Sequence, residues 1–170
     1  MVIGFDFDGT LVRGWTAEPL PGVREKLASL PADARTFIAT NQAGPVFRAV
    51  TGDSKYPTVA DVAARIVGGL AALEWRPQLL LIATYPGRNE EAWTLAAERT
   101  AAQLQQELRP CMVEPMPAWR KPRPGMLAYA VSHFKTRPAF TIYVGDMVTD
   151  QDAAHSASST FQWAAEFFAR

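Results

Sequence analysis

Short apolar runs alternate with longer amphipathic segments along this chain, and that alternation limits the possible fold more than any other feature. Residues 2–5, 36–39, 79–83 and 140–144 are each rich in branched or aromatic side chains and are followed closely by Asp, Asn, Gly or Pro, as strands are. Residues 160–163 form a fifth such run. Between them, 58–74 carries Val59, Val62, Ile66, Leu70 and Leu73 at three- and four-residue spacing, with Thr58 as the N-cap and Asp61 three residues on. Residues 21–30 read as a helix entered through Pro-Gly and stopped by Pro31. Residues 89–108 place Glu90 and Glu91 in a first turn ahead of a Trp93, Ala97, Leu104 and Leu108 stripe, and 125–134 reads as a fourth helix. Strands separated by helices predict a layered α/β domain with a mainly parallel sheet.

Composition adds limits. A chain of 170 residues is long enough for one domain with its own core, and no internal repeat or low-complexity segment interrupts it. The Pro-rich stretch 110–124 reads as a loop inside that domain, because too little chain follows it to build a second core, so one domain is expected over 1–170. Seventeen Lys plus Arg balance seventeen Asp plus Glu, which removes the global electrostatic case for nucleic acid or an acidic membrane. The one cysteine, Cys111, excludes a disulfide framework and fits a reducing compartment, so a cytoplasmic location is expected. The first residues lack the basic region and apolar stretch of a leader, and nowhere do about 18 apolar residues run together, so neither secretion nor membrane spanning is expected.

Ligands of open α/β sheets gather at the carboxyl ends of the strands, which directs attention to the polar residues after each run. Asp6 and Asp8 follow the first, Thr40 and Asn41 the second, Gly145, Asp146 and Asp150 the fourth, while Lys121 lies in a later loop. Asp6 and Asp8 are two apart, so on a strand both face one way while Phe5 and Phe7 face the other. Two carboxylates so close need a cation or a shared proton, and Asp146 adds a third. Oxygen donors without nearby His or Cys favour Mg2+, with waters and a phosphate completing its octahedron. One Asp in such a cluster can attack phosphorus while the other moves a proton, with Lys121 and the Thr40 hydroxyl binding phosphoryl oxygens.

Asp6-Phe7-Asp8-Gly9-Thr10-Leu11 resembles the first motif of the haloacid dehalogenase superfamily of phosphotransferases. Thr40-Asn41-Gln42 is similar to the second motif, Lys121-Pro122 to the third, and Gly145-Asp146-Met147-Val148-Thr149-Asp150 to the acidic fourth. All four occur in order, and the resemblance spans nearly the whole chain. It implies a three-layer Rossmann-like fold with a minimal cap, and Mg2+ as cofactor. Asp6 is then the nucleophile that forms an aspartyl-phosphate and Asp8 the general acid and base. Asp6, Asp146 and the Asp8 carbonyl become metal ligands, and Asp150 supports the metal or orients Lys121. Thr40, Asn41, Arg120 and Lys121 are expected against the substrate.

The surrounding residues resemble those of histidinol-phosphate, heptose bisphosphate and polynucleotide 3'-phosphatases, which carry small caps or none. Too few residues separate Asp8 from the second strand to hold a cap domain, and 86–119, at the other insertion point, offers one helix and a loop. The stretch before Lys121 holds Cys111 and no His, so the zinc loop found in some members is not expected. The implied reaction is hydrolysis of a small phosphomonoester, a sugar phosphate or a nucleotide. Its competitors are a 3'-phosphatase for nucleic-acid ends and a phosphate-accepting regulatory module without turnover. Receiver modules place an acceptor Asp after a middle strand, where this chain has Thr84-Tyr85-Pro86.

Overall fold

A computed structural model describes residues 1–169. Six parallel strands, β1 (Val2–Phe5), β2 (Arg35–Asn41), β3 (Leu79–Ala83), β4 (Met112–Glu114), β5 (Thr141–Gly145) and β6 (Thr160–Trp163), form one sheet in the order β4-β3-β2-β1-β5-β6. Six α-helices lie between the strands and a seventh follows β6 among the described residues: α1 (Val23–Ala28), α2 (Gly44–Thr51), α3 (Val59–Ala72), α4 (Glu91–Glu107), α5 (Gly125–His133), α6 (Val148–Ser156) and α7 (Ala164–Phe168). Every residue of β1 and β3 is buried, as expected for parallel strands covered on both faces.

Alternation along the strands divides the core in two. Ile38, Leu80 and Ile82 join Val23 and Leu27 of α1, Val62 and Ile66 of α3 and Leu104 of α4 on one face. Phe37, Ala39, Leu79 and Leu81 join Met126, Leu127 and Ala130 of α5 and Ala153 and Ala154 of α6 on the other. This period of two makes the three layers. Gly4 lies where a Cβ would stand 2.1 Å from the Phe37 ring, so the central strand needs glycine there. The start of α3 carries a complete capping box, in which Thr58 accepts from the Asp61 N–H at 3.1 Å and Asp61 accepts from the Thr58 N–H at 2.8 Å.

Three elements depart from the sequence expectation. The stretch 110–124 is not all loop: Met112–Glu114 forms β4, pairing Met112 with Leu81 and Glu114 with Ala83. Three residues are too few to show a period, and this edge strand is held by Gln105, whose side chain donates to the Cys111 carbonyl and accepts from the Val113 N–H at 3.2 Å. As a result α4 is a crossover helix, burying Ala97, Ala101 and Leu104 within the layers, and 86–119 is a regular helix and strand of the sheet. Finally, α2 was not visible in the sequence because its Gly-Pro start reads as a turn. Its aromatic Phe47 packs at 5.3 Å between Tyr56 and Trp93. No described helix is long and apolar enough to cross a membrane.

Candidate active site

Strand order reverses around β1, which pairs with β2 on one side and β5 on the other, so the carboxyl ends of β1 and β5 open onto one crevice. Asp6 leaves β1 with its N–H still donating to the Val144 carbonyl at 2.9 Å. Three residues on, the chain turns at Gly9, whose φ of 78° and whose close approach to the Asp146 carboxylate both exclude a side chain. The β5 end then supplies Asp146, and α6 supplies Asp150 from its first turn.

Lys121 is the centre of the buried charge. Its Nζ donates at 2.6 Å to Asp6 Oδ1, at 2.9 Å to the Tyr143 hydroxyl, and lies 2.6 Å from Asp150 Oδ1. The Tyr143 hydroxyl passes the chain on to the Ala39 carbonyl at 2.7 Å. Burial alone would lower the Lys121 pKa, but Asp6, Tyr143 and Asp150 carry it well above its ordinary value, so it is a fixed cation. Burial pushes the Asp6 carboxyl up to about 7, partly offset by the Lys121 ammonium. Burial also holds Tyr143 protonated, consistent with its donation to Ala39.

The acids differ in what remains free. Both oxygens of Asp150 are engaged, one by Lys121 and the other by the Met147 N–H at 3.0 Å. Asp146 is exposed and accepts from the Thr10 hydroxyl at 3.2 Å, while partial burial raises its pKa. Carboxylate oxygens of Asp6, Asp146 and Asp150 all lie within 4.8 Å of one another. Three acids against one lysine leave an excess of negative charge at oxygen donors only, a donor set that suits a hard divalent cation.

Asp8 lines the same pocket as Asp6, Thr40, Asn41, Lys121 and Asp150. Gln42 Nε2 donates at 2.8 Å to its Oδ2, and Arg65 of α3 pairs with its Oδ1. Arg65 also donates to Gln42 Oε1 at 2.8 Å, closing a ring of three side chains, and its guanidinium lies 4.7 Å from the Trp15 ring centroid. Only 8% of the Arg65 side chain is exposed. Neither Arg65 nor the bonding of Gln42 was visible in the sequence, since Arg65 reads as one more polar position on an amphipathic helix.

Two of the expected substrate contacts, Asn41 and Thr40, line the pocket and also bond within the protein. Asn41 Nδ2 donates to the Lys121 carbonyl and its Oδ1 accepts from the Lys121 N–H, each at 3.1 Å, so this side chain positions the lysine loop. The Thr40 hydroxyl is buried and accepts from Gln42 Nε2 at 2.9 Å. Arg120 is half-buried and donates to the Tyr85 carbonyl at 3.2 Å, at the edge of a second, larger cleft.

Neither a protein-family model nor a curated protein matches the sequence. Solved structures do match its fold. A protein from Mesorhizobium loti assigned as a HAD-like phosphatase is 19% identical over 93% of this chain and 68% of its own, with a TM-score of 0.66. A D,D-heptose 1,7-bisphosphate phosphatase from B. bronchiseptica, solved with magnesium and phosphate, is 20% identical over 94% of this chain and 78% of its own, with a TM-score of 0.61. The six-stranded parallel sheet and its helical layers are thus the Rossmann-like fold of the haloacid dehalogenase-like phosphatases.

Proposed function

We propose that this chain is a Mg2+-dependent phosphomonoesterase of the haloacid dehalogenase type, working through an aspartyl-phosphate on Asp6. The observation that carries this reading is the buried Lys121 ammonium bridging Asp6 and Asp150 at 2.6 Å each, beside a second acid, Asp8, in one pocket. A carboxylate held against a fixed cation at a strand end is positioned for in-line attack.

The residues divide the work. An Asp6 oxygen attacks phosphorus and the bond to the leaving oxygen breaks, while Asp8 gives that oxygen its proton. Water then attacks the aspartyl-phosphate, Asp8 takes up a proton from it, and phosphate leaves with Asp6 regenerated. Lys121 neutralises phosphoryl oxygens, and Asn41, Asp150 and Tyr143 hold Lys121 in place. Asp6 and Asp146, together with the Asp8 carbonyl, would hold Mg2+, which supplies charge neutralisation at the transferring phosphoryl group. Asp150 belongs to the same cluster, but its two engaged oxygens favour the role of orienting Lys121. The bound magnesium and phosphate of the bacterial heptose phosphatase support this assignment by analogy of fold.

The substrate class is a small phosphorylated metabolite, a sugar phosphate or nucleotide, taken up in a reducing compartment such as the cytoplasm. Cys111 suits that setting as an inert thiol, since burial pushes its pKa up to about 11. The test is phosphate release from a panel of phosphomonoesters with Mg2+ or EDTA, using Asp6→Asn as control. Mg2+-dependent release that vanishes in the variant is expected. Stable phosphorylation of Asp6 without release would instead assign a regulatory module.

A further inference from the structure

Next to the catalytic pocket of about 200 Å³ lies a cleft of about 900 Å³, and the two share Trp15 and Asn41 as walls. A cleft of this size is in the range that encloses a whole small ligand, roughly 300–1,000 Å³. The cleft adjoins the Asp6 pocket at Trp15, so there is room there for a leaving group bound to a phosphoryl group on Asp6.

The lining of the cleft is specific. Although the formal net charge of the chain is zero, Arg48, Lys55, Arg65 and Arg120 line the cleft against a single acid, Asp61. Lys55 and Arg65 already have carboxylate partners in Asp53 and Asp8, and Asp61 is spent capping α3. Arg48 and Arg120 differ. Arg48 donates to the carbonyls of Ser54 and Tyr56 at 3.0 and 2.8 Å and Arg120 to that of Tyr85 at 3.2 Å, and neither is in an ion pair among the described residues. Arg48 still feels Asp53 and Asp61 at longer range, whereas Arg120 is half-buried with no acid beside it and has given up hydration that an anion restores. The wall shared with the catalytic pocket is aromatic: the Trp15 indole is 60% exposed even though the Arg65 guanidinium covers part of it. Exposed tryptophan at a pocket mouth offers a platform to a planar ring.

We propose that this cleft binds a leaving group that carries both a planar ring and a second acidic group, the chemistry of a nucleotide bearing a second phosphate. The inference rests on the phosphatase reading and narrows its substrate class. Trp15 stacks the base, Arg120 with Arg48 takes the second phosphate, and Asp6 receives the phosphoryl group that is cleaved. A free nucleoside bisphosphate and a 3'-phosphorylated nucleic-acid end share this chemistry.

Steady-state phosphate release separates the possibilities. The wild-type chain is assayed with Mg2+ on a nucleoside 3',5'-bisphosphate, a nucleoside monophosphate, a ring-free sugar bisphosphate, a 3'-phosphorylated oligonucleotide and 4-nitrophenyl phosphate. The expected result is a kcat/KM for the nucleoside bisphosphate about tenfold or more above both the monophosphate and the ring-free bisphosphate, carried by KM. Arg120→Gln should erase the preference over the monophosphate, Arg120→Lys should restore part of it, and Trp15→Ala should erase the preference over the ring-free compound. Stronger turnover of the oligonucleotide than of the free bisphosphate identifies the nucleic-acid end as the source. Release from 4-nitrophenyl phosphate with no such preferences, or preferences unmoved by the variants, overturns the inference and leaves the phosphatase standing. Absence of release from every compound removes both.

Discussion

The floor of the catalytic pocket and the cleft beside it hold consecutive cations in opposite ways. Lys121 is buried and shared between two carboxylates and a tyrosine hydroxyl, whereas Arg120, one residue earlier, has a single carbonyl and no acid. In the floor the chain's own acids compensate the lysine, so its geometry is set before any ligand arrives. At Arg120 the compensation is left to the ligand, so that region selects where the floor reacts. Preorganised charge favours a transition state, and uncompensated charge at the rim favours binding.

Breaking the floor should have the largest effects. Asp6→Asn is expected to lower phosphate release by about 10⁴-fold or more while the fold survives, since it removes the nucleophile and leaves a near-isosteric side chain. Activity near that of the wild type would refute the nucleophile assignment. Lys121→Met leaves Asp6 and Asp150 facing each other without their cation, and removing one partner of a buried pair costs about 3–5 kcal/mol. Arg120→Gln, its neighbour, should cost less than about 1 kcal/mol, in line with substitutions away from buried networks. Denaturant midpoints of the two variants measure the contrast, and equal losses would abolish it.

Intermediate in size is the ring of Arg65, Gln42 and Asp8, which joins floor to rim. Arg65→Ala should lower kcat by about 10–100-fold, a part of what a general acid contributes. The loss should be greater for alkyl phosphates, whose leaving oxygen needs a proton, than for 4-nitrophenyl phosphate. An equal loss across leaving groups would show that Arg65 only supports the fold. Smallest is a pH effect on metal binding. Because burial raises the Asp6 carboxyl to about 7, its proton must leave before the carboxylate can ligate a cation. Mg2+ affinity should therefore fall by up to about tenfold for each pH unit below about 7 and level off above it. Isothermal titration across that range checks the sign, and affinity that rises on acidification would contradict it.

Much of the frame was legible in local pattern. Strands 2–5, 79–83 and 160–163 have the bounds expected from their apolar runs, and Thr58 with Asp61 three residues on marked the start of α3. The polar residues after the runs 2–5 and 140–144, Asp6, Asp8 and Asp150, line one pocket with Lys121, because strand ends of a parallel sheet converge. β4 escaped notice because three half-covered residues between prolines carry no periodic signal, and its pairing with β3 is what makes it a strand. The bonding of Asn41 was hidden for a related reason: a polar residue at a strand end shows nothing in the sequence of the Lys121 backbone it holds.

The sequence by itself determined the alternation of strands and helices, hence the layers, and the residue types that stand at the strand ends. Only the tertiary structure decided which of those side chains are free to react. Arg65 reaches Asp8 across 57 residues and Lys121 reaches Asp6 across 115, and no local propensity encodes such pairings. Hydrophobic periodicity is a property of neighbours along the chain, whereas the charge and hydrogen-bond partners of a buried carboxylate depend on which elements the completed sheet brings beside it.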